Sequence, residues 1–144
     1  MRVSQVVFSS DEAYLVISAE QRGGLAVYDV GALMQGSTNP AFELSTEGAV
    51  LRGLVPNPTA EKAEYFAVIT VDGKLLMANL KERRFLSGPN GSVLKSGVSC
   101  VSWSTRGKQL AAGLGDGTVS QMTPEGEEKA VIPKPPNLEG DQHG

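Results

Sequence analysis

Apolar residues gather into the same order of segments three times along the chain. Each copy has an alternating apolar segment, a polar turn, a second apolar segment, a tight turn containing glycine, and a third apolar segment. The first copy reads Val6-Val7-Phe8-Ser9-Ser10-Asp11, Tyr14-Leu15-Val16-Ile17, Gly23-Gly24 and Leu25-Ala26-Val27-Tyr28-Asp29. The second reads Leu54-Val55-Pro56-Asn57-Pro58, Tyr65-Phe66-Ala67-Val68-Ile69, Asp72-Gly73 and Lys74-Leu75-Leu76-Met77-Ala78-Asn79. The third reads Val101-Ser102-Trp103-Ser104, Gln109-Leu110-Ala111-Ala112-Gly113, Asp116-Gly117 and Thr118-Val119-Ser120-Gln121-Met122. Leu25, Leu75 and Val119, which follow the tight turns, lie 50 and 44 residues apart. No segment sustains the apolar period of a helix, so the pattern predicts strands with little helix.

A repeat of this length made only of strands predicts blades of a β-propeller. Strands of the first repeat are expected near residues 3–9, 13–19 and 24–30. Residues 31–40 read as a loop punctuated by Gly36, Asn39 and Pro40, and Phe42-Glu43-Leu44 as a short outer strand. The second repeat opens near Ala49 and runs to about Leu86, with a connection from Pro56 to Lys62 stiffened by two prolines. Gly88-Pro89-Asn90-Gly91 is a turn signal. The third repeat covers 97–133, with Lys129-Ala130-Val131-Ile132 as its outer strand. The expected fold is therefore all-β: about three consecutive four-stranded antiparallel blades, at 1–46, 47–93 and 94–137, followed by a flexible tail at 138–144.

Three blades do not close a ring, because propellers typically have about four or more. The chain is expected to be part of a longer propeller, or to close by pairing with another copy. Met1-Arg2-Val3 runs straight into strand pattern, which reads as a start inside a larger protein without a signal peptide. Tyr14-Leu15-Val16-Ile17 and Tyr65-Phe66-Ala67-Val68-Ile69 are continuous apolar runs, which predict burial on both faces, as when one blade packs between two neighbours. Phe8, Tyr65, Phe66 and Trp103 are the large side chains expected on those faces, each contributing roughly 1.5–3 kcal/mol when buried. A terminal blade leaves one such face bare, and bare apolar patches drive association. The isolated chain is thus expected to self-associate.

Composition narrows the function classes. A net charge of −3 over 144 residues excludes a polybasic nucleic-acid surface as the main feature. The densest basic cluster, Lys81-Glu82-Arg83-Arg84, is interrupted by an acid and reads as a solvated hairpin rim, with an acidic partner surface as its alternative. The one cysteine, Cys100, has no partner for an internal disulfide, which fits a reducing compartment. No apolar run approaches the roughly 18 residues of a membrane-spanning helix.

Few residues offer chemistry. Gly113, Gly115 and Gly117 lack the following Lys and Ser/Thr of a phosphate loop, and they sit between two strands. Asp116-Gly117 reads instead as a hairpin turn with positive φ, matched by Asp72-Gly73 and Gly23-Gly24. The single histidine, His143, lies in the expected tail, so no His–Cys–carboxylate metal cluster is available. It is also a poor base for Cys100, which reads as a small apolar residue packed within a strand. Asp11, Glu12, Asp29 and Asp72 fall at turns or strand ends, where carboxylates bond to backbone N–H groups. Asn90-Gly91-Ser92 matches a glycosylation acceptor but reads as a turn. Pro133-Lys134-Pro135-Pro136 reads as a stiff connector rather than a polyproline ligand. No catalytic, cofactor-binding or metal-binding residue is assigned. An enzyme with inward-facing ligands at a central channel ranks behind a scaffold, because the innermost segments supply Ser and apolar residues.

The third repeat carries a more specific signal. Val98 to Gly113, then Asp116-Gly117-Thr118-Val119, Gln121, and Glu128-Lys129-Ala130-Val131-Ile132-Pro133 with Pro135-Pro136, resembles the N-terminal propeller of the large cytoplasmic-filament nucleoporin. Phe8-Ser9, Tyr28-Asp29-Val30, Pro56-Asn57-Pro58 and Asp72-Gly73 fit preceding blades of that family in the same order. The resemblance implies a seven-bladed parent and a non-catalytic docking module at the cytoplasmic face of the nuclear pore. It implies a role in mRNA export through recruitment of a DEAD-box helicase by later blades, with other nucleoporins as further partners. It implies no cofactor, no membrane contact and no direct nucleic-acid contact. The helicase-binding residues are unknown, and none is carried onto this sequence. The Gly-His start and Trp-Asp end of standard WD repeats are absent, since the third strands finish Tyr28-Asp29, Ala78-Asn79 and Met122-Thr123. A generic WD-type propeller adaptor of another complex is the alternative reading.

Overall fold

A computed structural model describes residues 3–19, 23–88 and 91–133. The strands are β1 (Val3–Phe8), β2 (Tyr14–Ala19), β3 (Leu25–Asp29), β4 (Phe42–Leu44), β5 (Leu51–Pro56), β6 (Tyr65–Thr70), β7 (Leu75–Asn79), β8 (Arg84–Phe85), β9 (Val98–Trp103), β10 (Leu110–Leu114), β11 (Val119–Met122) and β12 (Glu128–Ile132). They form three four-stranded antiparallel sheets, each a meander in chain order: β1–β4, β5–β8 and β9–β12. These are the expected blades. The expected tail, His143, Asn90 and Pro135-Pro136 lie outside the described residues.

Two apolar layers hold the sheets together. Val16, Leu25, Val27 and Leu44 of the first sheet meet Leu54, Phe66, Val68, Leu76 and Ala78 of the second. On the other side of the second sheet, Ala67, Ile69, Leu75 and Met77 meet Val98, Leu110, Ala112 and Met122 of the third. Each sheet thus has a back face toward the preceding blade and a front face toward the following one. The middle blade uses both. Phe66, Ala67, Val68, Ile69 and Thr70 are all buried, as are Leu75 to Asn79, which explains the continuous apolar run there. Tyr14 to Ile17 behaves otherwise: Val16 is buried while Leu15 and Ile17 are half-exposed on an open back face.

Two sequence expectations need correction. The expected loop at 31–40 opens instead with most of a five-residue helix, α1 (Val30–Met34), started by the Asp29 side chain accepting from the Ala32 N–H at 3.0 Å. A short 3₁₀ turn also occupies Ala60–Lys62. Phe8, expected in the core, is 53% exposed, because none of the described residues packs on the back of the first blade.

A bulge recurs at one place in every blade. Ser4, Arg52 and Ser99 are each the extra residue in the pairing of the innermost strand, between Val3 and Gln5, between Leu51 and Gly53, and opposite the Gly113/Leu114 step. These bulges knit the blades at their inner edge. Gln5 Nε2 donates to the Arg52 carbonyl at 2.5 Å, and Arg52 Nη2 donates to the carbonyls of Val98 and Ser99 at 3.2 and 3.0 Å.

Candidate functional site

Alternation of the meander sends the turns of every blade to two opposite rims. One rim carries the β1–β2, β3–β4, β5–β6, β7–β8, β9–β10 and β11–β12 connections. Local side-chain bonds fix the shape of each. Ser9 Oγ donates to Asp11 Oδ1 at 2.6 Å and accepts from Tyr14 N–H, while Asp11 also accepts from Ala13 N–H. Asn79 Oδ1 accepts from Lys81 and Glu82 N–H, each at 3.0 Å. Ser104 Oγ accepts from Lys108 and Gln109 N–H. Asp11 and Asp29 thus do what their turn positions suggested.

The turns are also tied to one another. Asn57, fully buried, donates from Nδ2 to the Gly107 carbonyl of the third blade at 2.8 Å. Its Oδ1 accepts from both the N–H and the hydroxyl of Thr59. Gly107 has φ +67°, and a Cβ there would overlap the Asn57 amide, so glycine is required for this close approach. Ser10 Oγ donates to the Thr59 carbonyl, joining the first blade to the second. Sequence reasoning read this segment only as stiffened by prolines and missed Asn57. The signal was available: a polar residue held between Pro56 and Pro58.

Charges on this rim are mixed. Arg84 pairs with Glu82 at 2.6 Å, Lys129 with Glu127 at 3.0 Å, and the Arg83 guanidinium lies 5.0 Å from the Phe42 ring centroid. The Lys81–Arg84 cluster forms the exposed β7–β8 hairpin rim that its sequence suggested, with Arg84 paired to Glu82.

The opposite rim is built on two matching hairpins. In the β6–β7 turn Thr70 N–H donates to the Lys74 carbonyl and Gly73 N–H to Thr70; in the β10–β11 turn Leu114 and Gly117 repeat both bonds with Thr118 and Leu114. Gly73 and Gly117 have φ of +85° and +92°, as a hairpin at Asp-Gly requires. Gly113, Gly115 and Gly117 thus belong to a strand and its turn. No group of three or more metal-ligating side chains occurs among the described residues.

Cys100 departs from expectation. It is exposed on the front of the third blade, because strand alternation turns Val101 and Trp103 toward the second blade. Trp103 is where the sequence placed it: it packs into the layer between the second and third blades, and its Nε1 donates to the Val55 carbonyl at 3.0 Å.

The family model described as the NUP159/214 beta propeller matches residues 1–144. The chain belongs to this family. It is 59% identical to "Nucleoporin NUP159" of Chaetomium thermophilum over 143 residues, 99% of this chain and 10% of that protein. It is 33% identical to "Nucleoporin nup146" of Schizosaccharomyces pombe over 96% of this chain and 10% of that protein. With human "Nuclear pore complex protein Nup214" it shares 36% identity over 68% of this chain and 4% of that protein. The chain therefore spans about a tenth or less of these relatives. Among solved structures, the Cps50 (Swd1) β-propeller domain of Myceliophteria thermophila matches with TM-score 0.63 over 92% of this chain and 42% of that one, at 15% identity, a likeness of fold alone. The chain is thus part of a nucleoporin propeller, a scaffold family of the nuclear pore.

Three turns and the start of β12 carry carboxylates held below their ordinary range. The Thr70 hydroxyl holds Asp72 below the ordinary carboxylate range, helped by Lys74. Asp116 is held down by the Thr118 hydroxyl and N–H, and Glu128 by Lys95 and the Ser120 hydroxyl. At Asp11 burial pushes upward, but the Ser9 hydroxyl and Ala13 N–H outweigh it and the net direction is down. Their folded-state values lie below the unfolded ones. The stability they provide is complete above the unfolded carboxylate range, about pH 4, and is lost as pH falls through the lower folded values. The urea midpoint is expected to be flat from pH 7 to 5 and to drop steadily below pH 4. A midpoint that rises on acidification contradicts this assignment.

Proposed function

We propose that this chain contributes three blades to a docking propeller at the cytoplasmic face of the nuclear pore. Such a propeller serves mRNA export by recruiting a DEAD-box helicase, and the helicase contacts belong to blades outside this chain. The 59% identity to a nucleoporin over 99% of the chain carries this reading. The physics of the blades supports it. Turns fixed by Asp11, Asn57, Asn79 and Asp116 present their backbone in one shape, which lowers the ordering cost of binding a protein partner. The described residues supply rigid surfaces and mixed charge rather than a reactive cluster.

The test uses the full-length natural protein. Immunogold labelling is expected to place it on the cytoplasmic side of the pore, and the intact propeller is expected to retain the mRNA-export helicase in a pull-down. The 144-residue chain alone should retain none. Nucleoplasmic labelling, or no retention by the intact propeller, contradicts the proposal.

A further inference from the structure

A single line of hydrogen bonds runs along one rim through all three blades. Ser10 Oγ of the β1–β2 turn donates to the Thr59 carbonyl at 2.8 Å. Thr59 gives its own N–H and hydroxyl to Asn57 Oδ1, at 3.0 and 2.9 Å. Asn57 Nδ2 then donates to the Gly107 carbonyl of the β9–β10 turn at 2.8 Å. The turns of the first and third blades thus meet in the β5–β6 connection of the second.

The chemistry of this connection suits it to pass a displacement along. The Asn57 amide is fully buried, so water does not take over a bond that breaks. Pro56 and Pro58 fix φ on either side of it, which leaves the backbone little freedom to absorb a shift. An amide donates and accepts at once, whereas a carboxylate of the same shape only accepts. Asn57 therefore grips the third blade with one atom and orients Thr59, the contact to the first blade, with the other. The Thr59 carbonyl also accepts from Lys62 N–H at 3.3 Å, which ties the 3₁₀ turn at Ala60–Lys62 into the same line. The Asp116-Gly117 hairpin on the opposite rim is built otherwise, with its Leu114–Thr118 and Gly117–Leu114 bonds closing within the turn.

We propose that the β5–β6 connection is a clasp that couples the β1–β2 and β9–β10 turns, so that a displacement of either is felt at the other across a whole blade. Docking turns on this rim then change shape together, and a partner seated on one alters the rest. The coupling is the same whichever partner docks, so its failure leaves the docking reading untouched.

Hydrogen exchange read by mass spectrometry on the full-length natural protein tests it. The reporters are bonded amides: Ser9, Glu12, Ala13 and Tyr14 in the first blade, and Ser104, Gly107, Lys108 and Gln109 in the third. Gly107→Ala acts as a wedge, because its Cβ would lie on Asn57 Oδ1 and Thr59 Oγ1. Exchange is expected to quicken by about two- to tenfold, the span that one hydrogen bond controls. The change should appear at 104–109, at 57–62 and at 9–14. Coupling is reciprocal. Ser10→Ala removes one exposed hydroxyl and should quicken 57–62 and 104–109 as well. Gly117→Ala is the control, with comparable backbone strain at φ +92°, and should leave 9–14 unchanged. Quickening confined to the substituted turn, in either Gly107→Ala or Ser10→Ala, overturns the proposal. So does Gly117→Ala quickening 9–14 as much as Gly107→Ala does, which marks a general loss of stability. Should Gly107→Ala fail to fold, Ser10→Ala decides alone.

Discussion

Replacing Phe66 by alanine is expected to lower the unfolding free energy by about 3–5 kcal/mol. Phe66 has no exposed surface and lies in the layer between the first two blades, among Val16, Leu54 and Val68. It sits on the central strand pair of the middle blade, so the cavity left by its ring is enclosed by two sheets and cannot collapse without moving one of them. A loss of this size is a large share of the roughly 5–15 kcal/mol that holds a domain folded. The chain has one tryptophan, Trp103, in the other layer, and its fluorescence reports unfolding from a distance. Urea titration should show a lower midpoint for Phe66→Ala in both fluorescence and circular dichroism. Phe8→Ala is the control. Its ring is 53% exposed, so at concentrations where the chain is monomeric its midpoint should barely move. Equal losses at Phe8 and Phe66 would mean that the back of the first blade is covered in the monomer.

The contrast between these phenylalanines shows what the sequence carries. Strand positions were legible because strand and turn residues differ sharply in type: Tyr65 to Ile69 is a run that only a doubly covered strand tolerates, and Asp72-Gly73 is a turn that favours positive φ. The equivalence of Phe8 and Trp103 was legible too, from their places before the polar turn. Their burial was not, because burial is a property of the neighbour. Trp103 has the second blade behind it; no described residue packs behind Phe8. The same reasoning explains Cys100. A cysteine in a strand reads as core, yet alternation sends it to the open front face while Val101 and Trp103 point inward.

Features that depend on register left weaker traces. The bulges at Ser4, Arg52 and Ser99 insert one residue with no residue type in common, so the sequence does not mark Arg52. Its guanidinium nevertheless bridges two blades. The helix at Val30–Met34 is too short to show a period and contains a glycine, so its one sequence signal was the Asp29 cap. Asn57 is the instructive miss among the rim residues. The prolines on either side marked a stiff connection and nothing more, whereas the Asn57 amide replaces solvent for backbone groups of two blades.

Removing the indole at Trp103 is expected to separate the third blade from the second. Its ring fills the layer with Val55, Tyr65 and Leu110, and its Nε1–H satisfies the Val55 carbonyl across the blade boundary. Alanine removes both the packing and the donor, at a cost of about 3–5 kcal/mol. Phenylalanine keeps most of the ring and loses only the hydrogen bond, which contributes about 0.5–1.5 kcal/mol. The two costs fall at one boundary, so the effect should be regional. In Trp103→Ala, amide hydrogen exchange is expected to quicken across β9–β12 well before β5–β7, whose other face remains packed on the first blade. Trp103→Phe should show the same regional order with a smaller change. The latch between Asn57 and Gly107 remains in both variants, which keeps the β9–β10 turn tethered and makes the free edge of the third blade, β11 and β12, the first to open. If protection is instead lost evenly over all three sheets, the blades unfold as one unit and the layers are not separable.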